Sequence, residues 1–168
     1  NPIEQEGTYR LPEAQIDRFL LRIRLGYPRP QAERRMLEHY AGSERHQTVE
    51  PVLSPLGVAE LQKLVDHVHC SDEIYDYVIA LAQYTRDHRH VALPASPRAS
   101  LQLLSASKAR ALTEGRSFVL PDDIRALLPH VLGHRLVLHP EAADEGVTVD
   151  RVLQEAETRI GFRGRPAV

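Results

Sequence analysis

The sequence is poor in cysteine and aromatic residues, and it has no long apolar run. Cys70 is the single cysteine among 168 residues, so no disulfide can form within the chain and a reducing compartment is expected. No stretch approaches the ~20 apolar residues of a membrane-spanning helix, and no signal peptide pattern precedes the first element. We therefore expect a cytoplasmic protein without a membrane span.

The sequence also lacks an excess of charge of one sign. Lys and Arg total 21 against 23 Asp and Glu, which gives a net charge of -2. A dedicated nucleic-acid-binding domain is normally basic, so this balance weighs against one without excluding a local basic patch. Hydrophobic residues make up 42% of the chain and charged residues 26%, which is typical of a globular protein with a real core.

Most of the sequence has apolar residues at the spacing of amphipathic helices. After Pro30, apolar residues recur at intervals of three and four, as on one face of a helix. The Ser96-Pro97 pair marks a helix start, and Gly115 stands where a left-handed helix end is favoured. The predicted helices cover residues 30–41, 55–69, 72–88 and 96–114, with two more beginning near Pro121 and Val149.

One segment has a different period. In residues 19–25, FLLRIRL, apolar residues alternate with two arginines, which predicts a half-buried strand ended by Gly26. A lone strand can neither bury its face nor satisfy its backbone groups. We therefore expect residues 1–26 to be the edge of a larger α/β domain, and the chain to be a fragment of a longer protein.

Two long segments resemble the MoxR family of AAA+ ATPases. They are NPIEQEGTYRLPEAQIDRFLLRIRLGYP at the start and LPASPRASLQLLSASKARALTEGRSFVLPDDIRALLPHVLGHRL in the second half. The resemblance implies a mainly α fold with two parts. Residues 1–29 would be the C-terminal remnant of the α/β core, with its last strand, and residues 30–168 a helical-bundle lid domain.

The resemblance also implies that the whole protein binds ATP and Mg²⁺. No G-x-x-x-x-G-K-[ST] loop occurs in this sequence, so both would be bound mainly by core segments that precede Asn1. The fragment alone is therefore expected to be inactive.

Three residues match functional positions of the family. Asn1 of the Asn-Pro pair resembles sensor 1, whose neutral amide holds the attacking water or a phosphate oxygen. Arg18 in IDRF resembles the arginine finger, which stabilises the transferring phosphoryl group in the neighbouring subunit's site. Arg98 in SPRAS resembles sensor 2, which touches the γ-phosphate in cis. Asn1 and Arg18 are thus the predicted catalytic residues and Arg98 the predicted nucleotide-binding residue, with Arg10 a second basic candidate near the subunit boundary.

Other polar residues are interpreted as structural. His67, His69 and Cys70 are close in sequence, but the two histidines would point to different faces of a helix. His130 and His134 are four residues apart, yet no further ligand completes a site, so we predict no metal site and expect solvated or hydrogen-bonded histidines. The basic side chains of the second half could form a basic strip, but acidic residues are interspersed, so they are expected on a solvated face. They include Lys108, Arg110, Arg116 and Arg135.

The resemblance implies a ring of identical copies, usually a hexamer, that uses ATP hydrolysis and lid movement to remodel or mature a client protein. A von Willebrand A domain protein is an associated partner in that family. A second hypothesis is that the helical part is a protein- or DNA-binding module of a replication-type AAA+ protein. No basic recognition helix supports DNA binding, and salt-sensitive binding of DNA by the fragment would discriminate the two.

Overall fold

The computed structural model describes residues 11–41 and 49–162. The chain divides into two compact units. The described residues of the first are 11–22 and 62–162, and those of the second are 23–41 and 49–61. No helix in these ranges has both the length and the apolar content needed to cross a membrane.

The described residues form eight helices and two short strands. The helices are α1 Glu13–Ile16, α2 Pro30–Ala41, α3 Pro55–Asp66, α4 Asp72–Asp87, α5 Pro97–Thr113, α6 Pro121–Leu132, α7 Glu141–Asp144 and α8 Val149–Ile160. The strands are β1 Val91–Leu93 and β2 Val137–Leu138, which pair antiparallel. The prediction of a mainly helical fold is confirmed, and the longer helices begin and end close to the predicted residues.

The core of the first unit lies where α4, α5, α6 and α8 pack together. Each helix contributes one apolar face, as its three- and four-residue spacing predicts. Burying one large aliphatic side chain contributes roughly 1.5–3 kcal/mol, so these faces hold the bundle together. The most deeply buried aliphatic side chains are Ile74, Leu81, Leu103, Ile124, Leu128, Val131, Leu132 and Val152.

Both ends of α5 form as the sequence predicts. The Ser96 hydroxyl oxygen accepts a hydrogen bond from the Ala99 N–H at 3.2 Å, which caps the first turn. At the other end Gly115 has a φ of 73°, and the Arg116 N–H donates to the Ala111 carbonyl at 2.9 Å. This is the left-handed helix end that favours glycine.

The strand predicted over residues 19–25 does not form. Residues 21–29 adopt neither helix nor strand, and no described segment pairs with them. A strand requires a neighbour for its backbone groups, and the alternating pattern alone does not supply one. Arg22 instead donates its backbone N–H to the carbonyl of His130 in α6, at 2.8 Å. The assignment of residues 1–29 to a core and of 30–168 to a lid stays a prediction.

Candidate functional site

The predicted arginine finger and sensor 2 both lie in the first compact unit. Arg18 sits in the turn after α1, and Arg98 is the second residue of α5. Both side chains are exposed, and neither makes a hydrogen bond or an ion pair within the part of the chain that the structure describes. Each guanidinium is thus available to an external anion. The predicted residues Asn1 and Arg10 lie outside the described residues.

Asp17 connects the two segments that carry these arginines. The Ser96 hydroxyl donates to the Asp17 carboxylate, with distances of 3.0 and 3.2 Å to its two oxygens. The same hydroxyl oxygen accepts from the Ala99 N–H and caps α5. Asp17, the residue before Arg18, is therefore hydrogen-bonded to Ser96, which lies two positions before Arg98.

The buried side chain of Arg135 contacts the same segment, at residues 17–20. Its side chain is 2% exposed, and its Nε donates to Asp17 Oδ1 at 3.2 Å. The other acceptors of its guanidinium are the backbone carbonyl oxygens of Asp17, Phe19, Leu20 and Val131 and the side-chain oxygen of Gln102. A buried guanidinium is stable only when its charge and its donors are satisfied, and these contacts satisfy both.

The electrostatics of Arg135 reflect this position. Burial lowers the pKa of its guanidinium, and the neighbouring Asp17 carboxylate raises it in part. The positive charge of Arg98 lowers it further, so Arg98 lies within electrostatic reach of Arg135. The exposed Arg98 thus adds positive charge near the buried guanidinium of Arg135.

Comparison with known families matches both ends of this arrangement. The AAA lid domain family matches residues 83–156, and the ATPase family associated with various cellular activities (AAA) matches residues 1–21. The chaperone MoxR1 of Mycobacterium tuberculosis is 40% identical over 167 residues, which cover 92% of this chain and 44% of that protein. Protein MoxR of Methylorubrum extorquens is 31% identical over 159 residues, covering 83% of this chain and 46% of that protein.

The chain belongs to the MoxR family of AAA+ ATPases. Protein YeaC of Bacillus subtilis is 44% identical over 160 residues, covering 95% of this chain and 50% of that protein. A crystal structure of a Cytophaga hutchinsonii protein provisionally named an ATPase superposes with a TM-score of 0.90 at 30% identity, covering 98% of this chain and 52% of that one. The chain thus spans about half the length of the relatives it matches.

The two exposed arginines and the clamp that connects their segments, formed by Asp17, Ser96 and Arg135, fall within the matched regions of this MoxR-family chain. Arg18 and Asp17 lie in the AAA match, while Arg98 and Arg135 lie in the AAA lid match. The hydrogen bonds from Ser96 and Arg135 to Asp17 therefore join the two family regions directly.

Two histidines support the same segment. His134 places Nε2 3.2 Å from the Phe19 carbonyl oxygen and Nδ1 3.1 Å from the His130 carbonyl oxygen. Burial and then the charge of Arg135 lower the pKa of His134, so its ring is neutral at neutral pH and donates one of these bonds at a time. His130 Nδ1 lies 3.3 Å from the Arg22 carbonyl oxygen. Both rings thus contact the backbone of residues 19–22, and no three His, Cys, Asp or Glu side chains of the described ranges group around a possible metal ion.

The expectation that the basic residues form a solvated face is wrong for Arg135, whereas Arg116 stays partly exposed. Arg135 is buried, and Arg116 forms two hydrogen bonds, of 2.7 and 2.8 Å, with the buried Asp123 carboxylate. The role of Arg135 was missed because its partners in residues 17–20 are more than a hundred residues away in sequence. An arginine set between Leu132 and Leu136, at the end of an apolar helix face, was the available signal, and it is a weak one.

Proposed function

We propose that this chain supplies the arginine finger, Arg18, and sensor 2, Arg98, of a MoxR-type ring ATPase. The observation that supports this is the hydrogen-bonded junction of Asp17 with Ser96, next to two arginines without described partners. An exposed arginine whose neighbour in sequence is fixed can reach out to a phosphate while its backbone stays in place.

In this proposal each nucleotide site receives arginines from two subunits of a hexameric ring. Arg98 binds the γ-phosphate of ATP in its own subunit, while Arg18 enters the site of the next subunit and stabilises the transferring phosphoryl group. Asn1 acts as sensor 1. The core of the full-length protein binds most of the ATP and its Mg²⁺.

The ring uses hydrolysis to remodel client proteins in the cytoplasm. A relative named chaperone MoxR1 supports such a role. A von Willebrand A domain protein is the proposed partner in client maturation. The negative net charge favours a protein client over nucleic acid.

The first test is the Arg18→Ala variant of the full-length protein. Because a finger acts on the transition state, we expect kcat to fall by roughly 10³-fold or more while ATP affinity stays near wild type. Arg89→Ala is the control, because Arg89 is an exposed arginine of the same unit that pairs with Glu145 on the surface. A variant at position 18 that lost ATP binding but kept its turnover per bound ATP would refute the finger role.

A second test uses rings of two variants. Arg98→Ala is expected to weaken the preference for ATP over ADP and to slow hydrolysis. When inactive Arg18→Ala subunits are mixed with equal amounts of Arg98→Ala subunits, about a quarter of the sites combine an intact Arg98 with an intact finger from the neighbour. Activity should therefore reappear on mixing. Mixed rings that remain inactive, although exchange of subunits is verified, would contradict the two-subunit site.

A further inference from the structure

Most hydrogen-bond acceptors of the buried Arg135 guanidinium lie in the segment around Arg18, and fewer lie in the helical bundle. Its acceptors include the Asp17 side chain and the carbonyls of Asp17, Phe19 and Leu20, whereas α5 and α6 supply one acceptor each. An apolar side chain would pack α5 against α6 without the need to satisfy a buried charge. The acceptors in residues 17–20, and not the packing of the helices, therefore explain why an arginine with its hydrogen-bond donors is buried at position 135.

Residues 17–20 have little regular structure of their own to hold them. They form a turn and a bend after α1, which has only four residues. Backbone carbonyls outside helices and strands need other partners. Arg135 supplies donors on both sides of Arg18, to the carbonyls of Asp17 and Phe19. The backbone around Arg18 is thus fixed by a side chain from the turn that follows α6.

The same contacts attach this segment to α5. Ser96, the N-cap of α5, donates to the Asp17 carboxylate. Gln102, within α5, accepts from Arg135, which in turn donates to Asp17. Arg98 lies between these two attachment points in the sequence of α5. A displacement of this end of α5 would therefore move both residues that flank Arg18.

We infer that Asp17 and Arg135 are positioning residues that couple sensor 2 to the arginine finger of the same subunit, which rests on the roles proposed above for Arg98 and Arg18. When Arg98 engages or releases the γ-phosphate, α5 shifts, and the Asp17–Arg135 contact carries Arg18 with it. Because Arg18 acts in the next subunit's site, the nucleotide state of one subunit sets the hydrolysis rate of its neighbour. Neither positioning residue contacts the nucleotide itself.

The experiment compares Asp17→Asn and Arg135→Met with Arg135→Lys in the full-length protein. Asparagine keeps an acceptor for Ser96 but removes the charge, methionine fills the space without donors, and lysine restores the charge but not the planar set of donors. We expect kcat to fall by roughly 10²-fold in Asp17→Asn and Arg135→Met, because a finger displaced by about 1 Å loses that much, while KM and ATP affinity change by less than about twofold. Arg135→Lys should recover only part of the loss.

Mixed rings provide the readout that a purely structural role would not move. If Arg135→Met damages only the finger, its own nucleotide site is intact, and mixing with Arg98→Ala subunits should restore activity to about a quarter of the sites. If Arg135 simply stabilises the lid, its own site is damaged and mixing restores nothing, which would overturn the inference. Asp17→Asn, which is less buried, gives the same test if Arg135→Met folds poorly.

Arg116→Met is the matched control. It also removes an arginine that pairs with a buried aspartate in the same unit, but the hydrogen bonds of Arg116 go to Phe118 and Asp123 and not to residues 17–20. We expect reduced thermal stability but wild-type kcat well below the unfolding temperature. An equal loss of kcat in Arg116→Met would mean that general destabilisation explains the effect, and the inference would fail.

The outcomes separate this inference from the proposed function. If Arg18→Ala retains hydrolysis, Arg18 is not a finger and both proposals fail. If Arg18→Ala is inactive but Asp17→Asn and Arg135→Met keep wild-type kcat, the finger role stands and only the coupling is refuted. A parallel change of kcat and ATP affinity in the two positioning variants would also refute the coupling.

Discussion

Replacing Asp123 by asparagine is expected to destabilise the first unit far more than the same change at its neighbour, Asp122. Both aspartates lie in the first turn of α6, and both have an ion pair with an arginine at 2.7 Å. They differ in burial, since the Asp123 side chain is 3% exposed and the Asp122 side chain 82%. The pair therefore compares a buried, multiply bonded carboxylate with an exposed one in the same helix turn.

The magnitude follows from the contacts of Asp123. Its carboxylate accepts two hydrogen bonds from Arg116 and one from the Leu120 N–H at 2.9 Å, and Arg110 Nε lies 3.4 Å away. Removing one partner of a buried ion pair costs about 3–5 kcal/mol because the other charge is left uncompensated. Asparagine keeps one acceptor and Arg116 is partly exposed, so we expect about 2–3 kcal/mol.

The change at Asp122 should be much smaller. An exposed ion pair contributes about 0.5 kcal/mol, and an acidic group in the first turn of a helix about as much again. We therefore expect Asp122→Asn to lose at most about 1 kcal/mol. Urea unfolding followed by far-ultraviolet circular dichroism at pH 7 gives both free energies. Equal losses for the two variants would refute the claim that the buried network, and not simply the charge at the helix end, stabilises α6.

Three further outcomes are expected. Burial raises the pKa of Asp123, but the hydrogen bonds and charge of Arg116 outweigh it and hold the net pKa below its usual value. Its stabilisation is thus present above the unfolded-state pKa of about 4 and is lost as the pH falls through the lower folded-state pKa, so the difference between wild type and Asp123→Asn should shrink in unfolding experiments below about pH 4. Burial raises the pKa of the Cys70 thiol, so an aromatic disulfide reagent should modify it slowly at neutral pH until urea unfolds the protein, and fast modification of the folded protein would refute this. Gly115→Ala, at a φ of 73°, should cost about 1 kcal/mol, while Gly57→Ala, where an added Cβ meets ordinary contacts of 3.4 Å or more, should cost nothing measurable.

The sequence predicts the helices well where an apolar face and an end signal coincide. In α5 the Ser96-Pro97 start and the Gly115 end bracket the helix, and the structure confirms both ends. In α8 the apolar positions recur over 12 residues, enough for the period to be clear. These features are local, so a single sequence contains all the information that they require.

Strands are predicted poorly because they depend on partners. Residues 19–25 have the alternation of a strand, yet no described segment pairs with them, and no strand forms. Conversely, β1 and β2 were missed because strands of three and two residues are too short to show a period. Their pairing of Val91 with Leu138 depends on the packing of the helices between them, which no local pattern reports.

The residues of the candidate site also fall into two groups, those predicted from a sequence motif and those whose role only the contacts of the structure show. Arg18 and Arg98 were predicted because each lies in a family motif. The clamp formed by Asp17, Ser96 and Arg135 was not, since Arg135 lies 118 residues from Asp17 and each residue has an ordinary local role. Ser96 illustrates why, because capping α5 is a sufficient explanation of a serine before a proline. Only the structure shows that its hydroxyl also donates a hydrogen bond to Asp17.

The two roles of Ser96 can be separated by substitution. Aspartate caps a helix as well as serine does, so Ser96→Asp should preserve α5 to within about 0.5 kcal/mol. The new carboxylate would face the Asp17 carboxylate without a hydrogen to donate, and the repulsion of two like charges should release residues 17–22 from α5. Hydrogen exchange is the measurement, because the Arg22 amide, bonded to the His130 carbonyl, is protected only while this segment is docked. Faster exchange at residues 17–22 with unchanged exchange in α5 is expected for Ser96→Asp and not for Ser96→Asn, whose amide group can both cap the helix and donate to Asp17. If the aspartate variant exchanged like wild type throughout, the hydrogen bond between Ser96 and Asp17 would not be what holds residues 17–22 to α5.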